Sequence, residues 1–217
     1  MGKTSLVEAL LFSAGATTRL GKVDDGSTTT DFDPDEIKRK ISLNTAVAYC
    51  DWKGHRLNLV DTPGYGDFIS DARAGLRAVE TAVVVVDAVA GVQVQTEKVW
   101  KFASEYDLPR VVVVNRMDRE RADFWRTLES LTKRLKARLV PLQIPVGAES
   151  GFKGVVDLLK MKAILYADGK PQRWLSPSPC LLDALPFQFI CATGRAGLTG
   201  YRQLVTRERD GPYPVRA

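Results

Sequence analysis

The chain has 217 residues, of which 45% are hydrophobic and 26% charged, with a formal net charge of +5. That is the composition of an ordinary globular chain of one domain, or one domain with a tail, and it excludes collagen-like, coiled-coil and wholly disordered classes. The longest apolar stretch, 81–94, is interrupted by Asp87 and Gly91 and falls short of the ~20 residues that a membrane-spanning helix needs.

Taken in chain order, residues 4–14 place Leu6, Val7, Leu10, Leu11 and Ala14 at helical spacing, with Gly15 as the stop. Residues 21–44 are polar and rich in Gly, Thr and Asp. A loop of that length inside a compact domain is usually functional or mobile. Ala46–Trp52 and Arg56–Asp61 read as strands joined by a turn at Lys53, Gly54 and His55. A helix is predicted over 67–80, then the β-branched run Ala82–Val86, which marks a strand buried on both faces. Val94–Tyr106 reads as a helix, Val111–Val114 as a second buried strand, Glu120–Leu135 as a helix and Leu139–Pro145 as a short strand. Strands alternating with helices predict an α/β fold with a mainly parallel sheet.

The character changes near residue 170. Residues 171–217 hold 6 of the 11 prolines, 6 arginines and no lysine, and their apolar positions keep no sustained period. Over half of the net charge lies there, so the basic balance is no sign of nucleic-acid binding by the body of the chain. Cys50, Cys180 and Cys191 are too few for a disulfide scaffold and lack metal-site spacing, and a reducing, cytoplasmic setting is the default expectation. The N-terminus carries no signal-peptide pattern.

Three short motifs carry chemistry. Gly2-Lys3-Thr4 precedes a helix, as at the end of the phosphate-binding loop G-x-x-x-x-G-K-[ST]. There backbone N–H groups wrap phosphates, the lysine reaches the β- and γ-phosphates and the hydroxyl binds Mg²⁺. Asp61-Thr62-Pro63-Gly64 follows a strand. A carboxylate there can hold a Mg²⁺-bound water, and the glycine lets a backbone N–H approach a γ-phosphate, though D-x-P-G is also good turn chemistry. Asn115-Arg116-Met117-Asp118 follows a buried strand. One carboxylate can accept both the N1–H and the N2–H of guanine, whereas adenine offers an acceptor at N1; the same aspartate could instead cap the next helix. Each motif is modest alone. In this order, two of them at strand C-terminal ends and the first opening a helix, they point to guanine-nucleotide binding at the ligand-binding edge of an α/β sheet.

At this point the sequence resembles the translational GTPases of the elongation factor G type. The stretches GKTSLVEALLFSAGA, EIKRKISL, NLVDTPGYGDF, AVVVVDAVAGVQVQTEKVW, LPRVVVVNRMDRERADF and FKGVVDLLKMKA carry the likeness, over about residues 2–170. The resemblance implies a P-loop GTPase three-layer fold, with GTP or GDP and Mg²⁺ as ligands and the ribosome as partner. It also implies GTP hydrolysis coupled to translocation or ribosome recycling in the cytoplasm, by a monomer with no membrane or specific DNA partner. It implies that Gly2, Lys3, Thr4, Asp61, Thr62, Pro63, Gly64, Tyr65, Asn115, Arg116, Met117 and Asp118 bind GTP. Thr4, Ser42 and, through water, Asp61 would hold Mg²⁺, and residues 24–44 would form a first switch loop.

The departures are as informative. Tyr65 stands where the family usually has a water-orienting histidine; tyrosine can hold a water but is a poor base at neutral pH. Arg116 replaces the usual lysine, a change of geometry at constant charge. His55, the single histidine, is expected on the surface. The family's first strand and the start of its phosphate loop would precede Met1, which implies a start codon placed inside that loop. Residues 1–170 are thus expected to form a GTP-binding domain with its first strand missing, entering an inserted subdomain near 145–170. Residues 171–217 are expected to be a divergent, irregular tail, disordered or loosely packed. Cys-Ala-Thr-Gly at 191–194 resembles the base-supporting loop too faintly to carry a role. The alternative reading is a catalytically impaired guanine-nucleotide-binding module, or a fragment without activity of its own.

Overall fold

The structure is a computed structural model that describes residues 2–167, 170–175 and 189–192. Helix α1 (Lys3–Ser13) opens the chain, and Gly2 caps it with φ +88°, a conformation that favours glycine. The helix lays Leu11 against Ala48 and Cys50 of strand β1 (Ala46–Trp52), with Val7, Ala14 and Leu59 around them. Strand β2 (His55–Asp61) pairs antiparallel with β1, Trp52 facing His55. Lys53 and Gly54, with φ of 50° and 80°, form the two-residue turn between them. Two positive-φ residues give the twist that hairpin strands require. His55 is therefore the first strand residue rather than part of the turn, and it is exposed as expected.

The second layer is built on β3 (Ala82–Asp87) and β4 (Arg110–Asn115), which pair in parallel from Ala82↔Arg110 to Asp87↔Asn115. Alternate valines, Val84 and Val86 of β3 and Val112 and Val114 of β4, form a core with Trp100 of α4 (Val94–Glu105) and Phe124 and Leu131 of α5 (Phe124–Leu135). Helix α5 begins at Phe124 rather than Glu120 because Asp123 supplies the cap, accepting the Arg126 N–H at 2.9 Å. The short helix α3 (Ile69–Leu76) covers less of 67–80 than its pattern predicts, since the chain must turn at Arg77 and Ala78 to enter β3.

Beyond α5 come β5 (Leu139–Val146), β6 (Gly154–Asp157), β7 (Lys162–Ala167), β8 (Lys170–Leu175) and β9 (Phe189–Ala192). The sheet order is β3-β4-β9-β5-β6-β7-β8. The α/β class holds, but among the described strands only β3 and β4 pair in parallel; the other ladders are antiparallel. The strand period reports which faces are buried, not the direction of the neighbour, so pairing sense was not legible in it. β8 and β9 lie in the segment expected to be irregular. They are strands through their partners, β7 for one and β4 and β5 for the other. The remainder of the tail expectation lies outside the described residues.

β1 and β2 form a two-stranded sheet of their own. Between β2 and β3 lies an apolar cleft of about 490 Å³, lined by Leu57, Leu59, Val83 and Val85 and by Leu6 and Leu10 of α1. At one end of that cleft, β2 and the start of α1 meet in a cluster of polar groups.

Candidate nucleotide site

Four segments converge at the C-terminal ends of β2, β3 and β4. The first is the start of α1. A Cβ on Gly2 would stand 2.5 Å from Asn115 Nδ2, so the bare glycine lets the end of β4 approach the helix N-terminus. A Cβ on Gly64 would likewise stand 2.7 Å from Lys3 Nζ. These two glycines bring the three sequence motifs into contact. Burial lowers the Lys3 pKa, while the nearby Asp61 and Asp31 carboxylates act to raise it.

The centre of the site is a knot of oxygens. Thr4 donates its hydroxyl proton to Asp61 Oδ2 at 2.7 Å, and Thr4 Oγ1 lies 3.1 Å from Ser42 Oγ. Thr30 Oγ1 donates to the same Asp61 oxygen at 3.1 Å. Asp31 is buried beside them. Burial pushes the Asp61 carboxyl above its ordinary range, against the donations of Thr4 and Thr30 and the Lys3 charge. Asp31 is raised too, chiefly by burial, with the Asp61, Glu36 and Glu8 charges adding to it and a Ser42 hydrogen bond opposing. Hydroxyl and carboxylate oxygens with surplus negative charge suit a hard divalent cation such as Mg²⁺. The donor set therefore fits the ion that the resemblance implies for Thr4, Ser42 and Asp61.

The Ser42 hydroxyl reaches this knot because the polar segment 21–44 is not structureless. It holds a short helix, α2 (Pro34–Arg39), with Asp33 and Glu36 as a reciprocal capping box. The fully buried Glu36 also accepts the N–H groups of Leu43 and Asn44, at 2.8 and 2.9 Å, and so fixes the backbone next to Ser42. Proline after aspartate, with glutamate three residues beyond the cap, is the local signal that marks this helix.

Around Gly64, Pro63 is buried and Thr62 half-buried, whereas Tyr65 stands 57% exposed at the rim. At the end of β4, Arg116 takes a positive φ of 63° and donates Nη1 to Asp87 Oδ2 at 2.9 Å, so it braces the end of β3. Burial opposes charge on Asp87, but the N–H groups of Val89 and Ala90 and the Arg116 guanidinium outweigh it and hold the carboxyl below its ordinary range. Met117 is buried in the main core, which anchors the loop and leaves its side chain no access to a ligand. Asp118 is exposed and open to a ligand. Thr30, Asp31 and Asp87 were missed in the sequence as individual residues. Asp87 carried a usable signal, an acid ending a buried strand as Asp61 does; Thr30 and Asp31 carried none beyond lying in a long polar loop.

The elongation factor Tu GTP-binding-domain family matches residues 1–198, somewhat further than the likeness read from the motifs. Elongation factor G of Thermotoga petrophila is 46% identical over 165 residues, which cover 76% of this chain and 24% of that protein. Elongation factor G 1 of Geobacter sulfurreducens is 45% identical over 184 residues, 85% of this chain and 27% of the relative. A crystal structure of a protein from Thermus thermophilus superposes with a TM-score of 0.77 at 36% identity, over 96% of this chain and 30% of the other. The chain spans about a quarter of the length of the curated relatives it matches.

Proposed function

The chain belongs to the elongation factor Tu GTP-binding-domain family, among the translational GTPases similar to elongation factor G, and from that premise we propose that it binds GTP with Mg²⁺ at the α1–β2–β4 edge and hydrolyses it on the ribosome. The observation that carries this reading is the meeting of Thr4, Ser42 and Asp61, from three separate segments, in one hydrogen-bonded knot beside Lys3.

Each residue has a distinct task. Gly2 and the first N–H groups of α1 approach the phosphates, where a helix N-terminus favours negative charge. Lys3 sets its cation against the β- and γ-phosphates. Thr4 and Ser42 would hold Mg²⁺ by their hydroxyls and Asp61 by way of a water, and the ion supplies neutralisation of the phosphate charge. The backbone at Gly64 faces the γ-phosphate. Tyr65, at the rim, orients the attacking water without serving as a strong base. Asn115 ties the base-reading loop to the phosphate end, Arg116 braces it on Asp87, and Asp118 accepts the two guanine N–H donors. Release of the γ-phosphate frees the 21–44 and 61–68 loops, the switching mode of GTPases.

Among the described residues no helix is long and apolar enough to cross a membrane. We read residues 1–170 as the body of the domain, with β9 from the segment that follows filling its sheet between β4 and β5. The alternative, a guanine-nucleotide module with little turnover, draws on the exposed Tyr65 in place of histidine. Fluorescent mant-GTP titration of the 217-residue chain, with and without Mg²⁺, followed by phosphate release with and without ribosomes, separates the two. Mg²⁺-dependent binding with ribosome-stimulated release supports the GTPase; binding without release supports the module; no binding refutes both.

A further inference from the structure

Helix α1 carries a second functional group one turn below Thr4. Glu8 is a carboxylate with 1% of its surface exposed, in a position where helical spacing alone calls for an apolar residue. Burying a carboxylate is costly unless its oxygens are satisfied. Here both are, by backbone from one loop: Gly21 N–H donates to Oε2 at 3.2 Å and Thr29 N–H to Oε1 at 2.5 Å. Between those points the loop closes on itself, the Lys22 N–H donating to Ser27 Oγ at 3.0 Å and the Ser27 N–H to the Lys22 carbonyl at 3.2 Å. Gly21 has no room for a side chain, since a Cβ there would meet Glu8 Oε2 at 2.4 Å and the Ser27 carbonyl at 2.6 Å. The residue after Thr29 is Thr30, whose hydroxyl bonds Asp61 in the knot.

We propose that Glu8 is a positioning residue: a two-pronged latch that fastens the 21–29 loop to the helix bearing Lys3 and Thr4, and so sets Thr30 and Asp31 against Asp61. The fastening of the loop to α1 is made of hydrogen bonds from its backbone to one side chain. The two donors fall on different oxygens, which makes the chemistry specific for a carboxylate. A glutamine offers one oxygen and one NH₂, accepts one N–H and sets a donor against the other. The functional consequence rests on the GTP and Mg²⁺ reading above; the latch itself does not.

The test uses the full 217-residue chain with E8Q and, from the loop side, G21A. The first readout is amide hydrogen exchange at position 21 and at Thr29 without nucleotide. Loss of a hydrogen bond to a charged group predicts exchange roughly 10- to 100-fold faster at one or both amides in E8Q, with the amides of α4 and α5 unchanged. The second readout is mant-GTP against mant-GDP affinity with Mg²⁺. We expect a loss on the order of tenfold for mant-GTP and less than about twofold for mant-GDP, because the γ-phosphate and its Mg²⁺ engage this loop and a diphosphate does not. Unchanged exchange at both amides overturns the latch, as does an equal loss of both nucleotides, which marks a structural role only. If E8Q does not fold, G21A decides by the same two readouts. If the parent chain binds neither nucleotide, the GTP reading fails, while the exchange measurement still decides whether Glu8 holds the loop.

Discussion

Replacing Thr4 by valine removes one hydroxyl from the knot and changes little else, since the two side chains are nearly the same shape. The hydroxyl donates at 2.7 Å to Asp61, a residue with 4% of its surface exposed. A hydrogen bond to a charged group contributes about 1.5–3 kcal/mol, and here the carboxylate left behind cannot turn to water. Thr30 and the backbone of Thr62 remain on Asp61, and Ser42, which also loses its 3.1 Å contact with Thr4, keeps its hydrogen bond to Asp31, so the loss should stay near that range. For a chain of this size about 2–4 °C follows each kcal/mol, which places the fall in melting temperature at about 3–12 °C at pH 7. The pH dependence has a definite sign. Asp61 has a raised pKa in the fold, so its protonated form is favoured there; the stability it contributes is present below its ordinary value and lost as pH rises through the folded value. Thr4 opposes that loss by holding the ionised form. T4V should therefore differ most from the parent at neutral pH and least below the ordinary carboxylate range. Circular-dichroism melts at pH 7 and about pH 3.5 measure both. A variant melting within about 1 °C of the parent at pH 7, or differing equally at both pH values, would refute the assignment of that hydrogen bond.

Other outcomes follow from the same structure. L131A removes a fully buried side chain from the main core and should cost about 2–5 kcal/mol by urea denaturation, whereas V83A, half exposed on the cleft, should cost far less. D87N should destabilise at neutral pH and converge with the parent in acid. Asp87 has a depressed pKa, and the stability it contributes is present above its ordinary value and lost as pH falls through the folded value; an equal deficit at all pH values would contradict this. D118N should narrow the preference for GTP over ATP in competition with mant-GTP, and an unchanged ratio would show that Asp118 does not read the base. GTP with Mg²⁺ at about 100 times its dissociation constant should raise stability by about 2.7 kcal/mol, and no thermal shift at that excess would argue that the ligand does not favour the folded state.

Much of the scaffold is readable residue by residue. The valine runs at 83–86 and 111–114 are strands as their β-branched pattern predicts, but the expected cover on both faces is incomplete: Val83 is half exposed on the cleft, and β4 alternates buried with half-buried positions. The spacing of Phe124, Leu128, Leu131 and Leu135 gives α5 its buried stripe, although Asp123 rather than the periodicity sets its first turn. The motif residues Gly2, Lys3, Thr4, Asp61 and Asn115 were legible because each sits where a helix begins or a strand ends, and such positions are marked by local sequence.

The sequence by itself determined the α/β class, the family, most element positions and the order of the three motifs, because local propensity and short-range spacing carry those properties. Tertiary structure alone decided the rest. Glu8, Glu36 and Asp31 are acids like many others in the chain until the fold closes, and only then does burial convert two of them into backbone anchors and one into a member of the knot. The Met117 side chain joined the core, and Arg116 found Asp87, through contacts between segments some thirty residues apart. The antiparallel pairing of β9 between β4 and β5 has the same origin: partner and direction belong to hydrogen bonds between distant segments, and no single segment encodes them.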